Sequence, residues 1–600
     1  MDAVYVCDPF EDLFKREETE SEKSEENVSE NEVEIHQDET EEEIHQNNAN
    51  ETEGEPLQNI QNETEEENLQ KEQNEVATRA GRVTKQTQFY GNSGASECIL
   101  LTFSDAVTGP NGHKWKTAIE DEIKSLAENE VYKLVDEKEA KWAKVLSNRW
   151  VFRIKDNGQY QARLCVRGNE QKEDDFDYEE IFSPVTNESS IKIMFALALQ
   201  YNYKMLKFDV KCAFLYGNLE ENVFMKIPEG YTKYKNKIFK LLKALYGLKQ
   251  SPLQWFKRLT DFLAKCGLKQ LKSDRCVFRN TKGTLWLAIH VDDGLVVYKN
   301  VDEKNHLVKA MQREFKLTLE ENPTCYLNIK IEAKGDTLKL SQEAYANSII
   351  NSFNMSDSKP VSTPMEPGQM IGRTGNSADD FPYRQAVGSL LYLSNKTRPD
   401  ISFAVSYASR HMEKPEKNDI DIIKRILRYL RGTTGDGVMF ERSTESELTL
   451  SAFCDASYAD DLITRRSTSG YMVLLNNNPV SWASRRQPIV ATSTTESEYI
   501  ALADTLKNLL FLKSFIEELT DKKVRCILKE DNQGTIRVVK KGQFNKRSKH
   551  IDVRYHYVHE KFSEGFFKIQ YCPSSEQLAD MLTKPLPKVK FTSLKDRVVK

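Results

Sequence analysis

The sequence predicts an acidic, disordered tail followed by a folded body that is α+β in its first part and α/β in its last. Three observations carry this. Residues 1–80 hold 27 acidic and 5 basic residues, with few aromatics and no sustained apolar period, so they cannot bury enough to offset ordering entropy. The remaining 520 residues carry 65 acids against 80 bases, so an overall charge of −7 conceals a body of about +15. That body alternates β-branched and aromatic runs of period two with helical apolar stripes, and its 600-residue chain exceeds a single unit of about 150 residues several times over.

Composition excludes some classes. The chain is 39% hydrophobic and 10% aromatic, enough for sizeable cores. Its longest apolar run, residues 193–199, is far short of the ~20 residues a membrane crossing needs. The opening MDAVYVCDPFED lacks a basic flank and a signal-peptide core. Ten cysteines are scattered without a C-x-x-C pair, which signals neither a disulfide framework nor structural zinc. A soluble intracellular chain with reduced thiols and no membrane partner is expected, and the basic body has the electrostatic footprint of a polyanion binder.

The elements follow in order. The basic stretch TRAGRVTKQTQFY marks a linker closing the 1–90 tail. A first helix is expected over 115–130, with Trp115, Ala118, Ile119, Ile123 and Leu126 on one face. The runs RWVFRIK and YQARLCVRG flank Asp156-Asn157-Gly158, a hairpin signal. Ser189 and Ser190 offer caps for a helix, MLKFDVKCAFLYG reads as a strand entering a turn, and Ser251-Pro252 reads as N-cap and first turn of another helix. TLWLAIHVDDGLVVYKN then places apolar arms around Asp292-Asp293-Gly294, a second hairpin with acids at its tip. In DIDIIKRILRYLRG, Lys424, Arg428 and Arg431 line a face opposite the apolar stripe, ahead of Gly432 as a stop. Beyond 447 come strands, a long helix over 495–519 and a strand at VRCILKEDN.

Acids punctuate these elements. Asp209 ends an apolar strand 83 residues before Asp292, and such strand-borne acids can converge on Mg²⁺, although Asp-Asp-Gly alone is ordinary turn chemistry. The order and wording of RWVFRIK, YQARLCVRG, DFDYEEIFSPVT, LKFDVKCAFLYG, KLLKALYGLKQSPLQWF and AIHVDDGLVVYK resemble the reverse transcriptase of copia-type LTR retrotransposons, over about residues 112–600.

The resemblance implies a right-hand polymerase, with fingers and palm over 112–300 and thumb and connection over 301–446, then a ribonuclease H-like domain over 447–600. It makes Asp209, Asp292 and Asp293 the polymerase acids, the first two holding metal. Phe214 would lie under the nucleotide sugar and exclude a 2′-hydroxyl, with core packing as its alternative. Lys155 and Arg163 would grip the triphosphate, and Tyr246, Gly247 and Gln250 (YGLKQSP) would lie beneath template and nucleotide. Where the family has Tyr before Val-Asp-Asp this chain has His290, and where it has Lys this chain has Gln161.

In the last part the resemblance makes Asp455, Glu498, Asp531 and Asp580 a ribonuclease H quartet that holds metal. Their competing readings are a capping box Thr495-x-x-Glu498, a turn at Asp531 and a solvated helical acid at Asp580. The basic segment with Lys546, Arg547 and Lys549 is expected on the nucleic-acid backbone, as are Lys424, Arg428 and Arg431, and His556 and His559 fall there as contact or packing residues rather than zinc ligands.

The implied cofactor is Mg²⁺ or Mn²⁺, two ions per site. The implied partners are RNA template, DNA primer, RNA–DNA hybrid and deoxynucleoside triphosphates, with capsid protein, protease and integrase in a complete element. The implied location is cytoplasmic, in a virus-like particle, or nuclear. The acidic tail resembles the end of an integrase. No zinc knuckle, D-[ST]-G protease signature or integrase zinc motif occurs, so a processed piece or a truncated copy is expected. The rival readings are a non-catalytic nucleic-acid-binding remnant and a DNA-templated polymerase.

Overall fold

The computed structural model describes residues 101–141, 143–155, 158–171, 183–230, 236–370, 381–542 and 552–600, together with three short strands before them. Two units are distinct. Within residues 1–90, expected to be a disordered tail and linker, the strands Glu75–Ala77 and Val83–Lys85 pair antiparallel, and the rest of that stretch lies outside the described residues. Residues 91–600 form the other unit.

The hairpin expected around Asp156-Asn157-Gly158 forms from strands Asn148–Ile154 and Tyr160–Val166, paired antiparallel. Asp156 and Asn157 lie outside the described residues, while Gly158 takes φ 76°, a conformation side chains resist. Helix Gly112–Glu128 buries Trp115, Ala118, Ile119 and Leu126 against this hairpin, with the Trp115 ring edge-on to Phe152 at 5.1 Å.

A six-stranded antiparallel sheet follows, in the order Leu268–Gln270, Val277–Asn280, Leu285–His290, Asp293–Tyr298, Lys204–Val210, Leu317–Glu321. Its side chains alternate between two buried faces, as period two requires. Leu285, Leu287 and Ile289 join Trp255, Leu259 and Leu263 of helix Ser251–Lys265. Trp286 and Ala288 join Ile193, Met194, Phe195 and Leu197 of helix Glu188–Tyr201 on the other side. Two caps differ from expectation. Asn187, not a serine, accepts from the Ser189 amide, and Gln250 holds the cap position before Ser251 because the Ser251 hydroxyl is committed to Leu245 O.

The second face continues without a break into the rest of the chain. The same core takes in Leu338 and Leu340, Ile423, Ile426 and Leu430 of helix Lys417–Arg431, and Leu450, Val473, Leu506 and Leu528 beyond 447. One apolar core therefore runs across residues 300 and 446. Polar contacts reinforce it. Lys192 is buried, donates to Asn395 O at 2.9 Å and lies 4.1 Å over the Trp482 ring, while Trp482 Nε1 donates to Ser394 O at 2.9 Å. Glu518 accepts from the Lys272 and Ser273 amides at 2.7 and 3.0 Å.

The C-terminal sheet runs Asn478–Arg486, Thr468–Leu475, Leu448–Ser457, Val524–Glu530, Lys568–Tyr571, antiparallel over the first three strands and parallel over the last three. Helix Thr494–Thr520, close to the expected 495–519, packs on it.

Just after helix Tyr383–Lys396 sits a buried ion pair. Arg398 Nε and Nη2 donate to the two oxygens of Asp400 at 2.9 and 2.8 Å, and Tyr429 OH donates to Asp400 Oδ2 at 2.7 Å. Both charged groups are at most 1% exposed. Burial alone would raise the Asp400 carboxyl, but the Arg398 charge and these hydrogen bonds bring it below its ordinary value. Replacing Arg398 with Met strands a buried carboxylate, and the expected loss of stability is about 3–5 kcal/mol. Urea unfolding of Arg398→Met against the parent checks it, and the double change Arg398→Met, Asp400→Leu is expected to recover most of the loss.

Candidate functional site

The first group of acids is built by the central sheet. Asp209 sits directly opposite Asp293 on the neighbouring antiparallel strand. The hairpin tip differs from the expected Asp292-Asp293-Gly294 turn: His290 pairs with Asp293, so the turn is Val291-Asp292, and Asp293 already belongs to the second strand. Val291 takes φ 58°, unfavourable for a β-branched residue. It is held by Trp255 Nε1, which donates to Val291 O at 2.7 Å, and by the Val210 amide, which donates to Asp292 O at 3.0 Å. Gly294 is needed for close approach, since a Cβ there would meet the Phe208 ring at 2.0 Å.

Burial pushes the Asp293 carboxyl up to about 6, opposed by Lys207 at 3.9 Å and reinforced by the charges of Asp292 and Asp209. The ligand oxygens of these three acids do not all fall within 4.8 Å of one another, a spacing that two groups beyond residue 447 meet. The Lys207 ammonium draws on Asp293 from the same strand that carries Asp209.

Beside these acids lies an aromatic and cationic cluster. Phe214, in the short turn Ala213–Tyr216, is buried and meets the Tyr246 ring edge-on at 4.9 Å. The Arg163 guanidinium lies 4.1 Å from the centroid of the same Tyr246 ring, and its Nη1 is buried without a hydrogen-bond partner. Burial raises the Tyr246 hydroxyl, with Arg163 opposing and Asp292 adding to the rise, so the ring is felt by both the cation and the acid. Gln250 is buried, accepts from Gln171 Nε2 at 3.0 Å, and leaves its own Nε2 without a partner. Gly247 takes φ 94°, and a Cβ there would meet Val166 O at 2.0 Å, so its role is to let two backbones cross. Lys155 is exposed at the end of the hairpin arm. His290 carries an imidazole whose Nδ1 is buried and unpartnered, and burial lowers its affinity for a proton.

The second group gathers four separate elements. Asp455 lies on strand Leu448–Ser457, Glu498 in the first turns of helix Thr494–Thr520, Asp531 just after strand Val524–Glu530, and Asp580 in the turn Leu578–Leu582. Ligand oxygens of Asp455, Asp531 and Asp580 fall within 4.8 Å of one another, and so do those of Glu498, Glu530 and Asp531. The capping-box reading of Glu498 does not hold: Ser493 is the cap, accepting from the Glu496 amide, and Glu496 reaches back to the Thr492 amide at 2.9 Å. That frees Glu498, whose Oε2 is buried with no hydrogen-bond partner.

Glu530 was absent from the expected set. On its strand Val524, Cys526 and Leu528 face inward, so period two places Glu530 inward as well. An acid at the fourth inward position was the available signal. Burial pushes the Glu530 carboxyl up to about 8, and Asp531 and Asp455 add to the rise against hydrogen bonds from Cys454 and the Asn532 amide. Asp455 is pushed up to about 6 by burial, opposed chiefly by Lys584. Glu498 is raised well above the carboxylate range by burial, then by Asp455, Glu530 and Asp531. Oxygen-only donors, crowded charge and an unpartnered buried carboxylate oxygen together fit a hard divalent cation.

The expected phosphate contacts fare differently. Arg428 Nε donates to Lys359 O at 2.8 Å and Arg431 Nε to Ser356 O at 2.7 Å, so one donor of each arginine ties down a loop of its own chain while Arg431 stays exposed. A helix stripe shows which side is polar but not which loop covers it. Lys424 is exposed. Lys546, Arg547 and Lys549 lie outside the described residues. His559 Nδ1 lies 3.1 Å from Val539 O, and no histidine joins a metal-competent group among the described residues.

Comparison with known proteins gives the following. Residues 129–367 match the family described as reverse transcriptase (RNA-dependent DNA polymerase). The chain is similar to the retrovirus-related Pol polyprotein from transposon TNT 1-94 of Nicotiana tabacum, at 37% identity over 83% of this chain and 38% of that polyprotein. It is similar to that from transposon RE1 of Arabidopsis thaliana, at 32% identity over 82% and 34%. The chain thus spans little more than a third of the length of these curated relatives. Among solved structures, a foamy viral protease-reverse transcriptase in complex with double-stranded DNA has 12% identity and a TM-score of 0.44, over 76% of this chain and 69% of that one.

The raised acids set a pH dependence. A carboxyl whose folded value lies above its unfolded value favours the fold while protonated, and this stability is lost as pH rises through the folded value. For Asp455 that window runs from about 4 to 6 and for Glu530 from about 4 to 8. Metal-free protein is therefore expected to lose thermal stability between pH 5 and 8. In Glu530→Gln the loss is expected to be shallower, with a melting temperature above the parent's at pH 8, as differential scanning fluorimetry would read.

Proposed function

Residues 129–367 form a reverse transcriptase domain in a chain of the copia-type transposon Pol kind, and on that premise we propose that the protein copies RNA into DNA and cleaves the RNA strand of the resulting hybrid. The carrying observation is that acids from separate elements come together twice: Asp209 stands opposite Asp293 across two strands, and Asp455, Asp531 and Asp580 form one triad that shares Asp531 with a second, Glu498, Glu530 and Asp531.

In the polymerase reading, Asp209 and Asp292 hold the cations and Asp293 supplies nearby charge. Mg²⁺ or Mn²⁺, two ions per site, would polarise the attacking hydroxyl or water and stabilise the leaving oxygen in both reactions. Arg163, with a spare buried donor on the Tyr246 face, and exposed Lys155 are the cations for the triphosphate of an incoming deoxynucleotide. Phe214, braced by Tyr246, would close the space a 2′-hydroxyl needs, and Gln250 has a free donor for the sugar or base. Template, primer and hybrid would be held by the basic body through their phosphates.

In the hydrolase reading, the parallel and antiparallel strands of the C-terminal sheet, the long helix and the late turn together form a ribonuclease H-like domain. Asp455, Glu498, Asp531 and Asp580 hold the cations and orient the hydrolytic water. Glu530 adds negative charge behind them.

The two activities separate by mutation. Asp292→Asn is expected to lower primer extension on an RNA template by roughly a thousandfold while hybrid cleavage persists. Glu498→Gln is expected to do the reverse. Filter binding of hybrid without extension or cleavage in the parent protein would leave the nucleic-acid-binding remnant as the better description, and preference for a DNA template in competition would favour a DNA-templated polymerase.

A further inference from the structure

The C-terminal acids are not without a cation of their own. Lys584 Nζ lies 2.7 Å from Asp580 Oδ1 and 3.3 Å from Asp455 Oδ2, bridging two carboxylates that are almost wholly buried. Lys590 takes the other oxygen of Asp580, and the Thr583 hydroxyl donates to the Asp455 oxygen that Lys584 shares. Asp455 and Asp580 are also two of the three acids whose oxygens fall within metal-binding reach of one another.

A divalent cation bound by both carboxylates at its usual distance of about 2.1 Å would stand close to where the ammonium now stands. Two cations cannot share that space. The Lys584 side chain is 38% exposed, against 2% and 1% for its partners, so it has a route to solvent that the acids lack. Lysine suits such a part, being a compact point charge on a flexible stem rather than a planar fork.

We propose that Lys584 is a built-in counter-ion of the C-terminal site, which neutralises Asp455 and Asp580 when no metal is bound and must swing outward when a divalent cation enters. The inference rests on the hydrolase reading of that site. Its consequence is that the apparent metal affinity is the intrinsic one multiplied by the fraction of molecules in which the lysine has left. Lys584 is a positioning residue, acting through the two carboxylates.

The test is calorimetric titration of Mg²⁺ into the full chain, with Asp209→Asn and Asp292→Asn as common background so that the C-terminal site is read, alongside the melting temperature of metal-free protein. Lys584→Met is expected to melt lower without metal and to bind Mg²⁺ tighter by about tenfold or more. Lys584→Arg keeps the charge and is expected to retain the higher metal-free melting temperature with no gain in affinity, which covers the case in which the Met variant folds poorly. Equal or weaker Mg²⁺ binding in Lys584→Met would overturn the displacement while leaving the metal site standing. Absence of Mg²⁺ binding in parent and variant alike would overturn the hydrolase reading itself.

Discussion

Carboxylates brought together away from water repel one another, and this architecture depends on the ways that repulsion is contained. Asp455, Glu498, Glu530, Asp531 and Asp580 would not gather unless the elements bearing them were fixed by other forces, because each added negative charge in a low-dielectric setting raises the cost of the next. The raised carboxyls of Asp455, Glu498 and Glu530 are that cost made visible. Lys584 and Lys590 offset part of it locally, and the apolar sheet behind supplies the rest.

The central sheet contains its acids by a different device. Asp209 and Asp293 are held opposite by backbone register, which cannot slip one residue without exchanging the side chains packed into its two buried faces. The strained Val291 is fixed by Trp255 and Val210, whose contacts come from a helix and a strand already locked in the core. Strain of this kind persists only where its surroundings over-determine it. Lys207, on the Asp209 strand, then stands to Asp293 as Lys584 stands to Asp455: an ammonium within 4 Å of a carboxyl that burial has raised.

Much of this was legible in the residues. Period-two runs fix the hairpin arms and the central strands, because a sheet buried on both faces writes near-continuous apolar segments such as LWLAIH and GLVVY. Asp455 was legible for the same reason, as the first polar residue after the run AFC. What the residues do not write is which long-range partner a polar side chain meets. Arg428 and Arg431 look like a phosphate-binding row from their own helix, and only the fold brings the loop carbonyls of Lys359 and Ser356 to them. Glu496 and Glu498 both stand near a helix start, and only the backbone geometry at Ser493 decides which serves the cap. Glu530 was hidden beside Asp531, although the inward rank of Val524, Cys526 and Leu528 pointed to it.

The shared core gives the two groups of acids a mechanical relation that domain borders drawn on sequence would not suggest. Helix Glu188–Tyr201 packs under the sheet that bears Asp209 and Asp293, and it belongs to the same core as the strands that bear Asp455 and Glu530. Where that helix meets the C-terminal sheet, Lys192 and Trp482 are buried against one another, and the end of helix Thr494–Thr520, whose start carries Glu498, accepts hydrogen bonds from Lys272 and Ser273 beside the central sheet. Close-packed interiors transmit displacement rather than absorb it. The spacing between the two groups of acids is thus a property of the fold rather than of a linker.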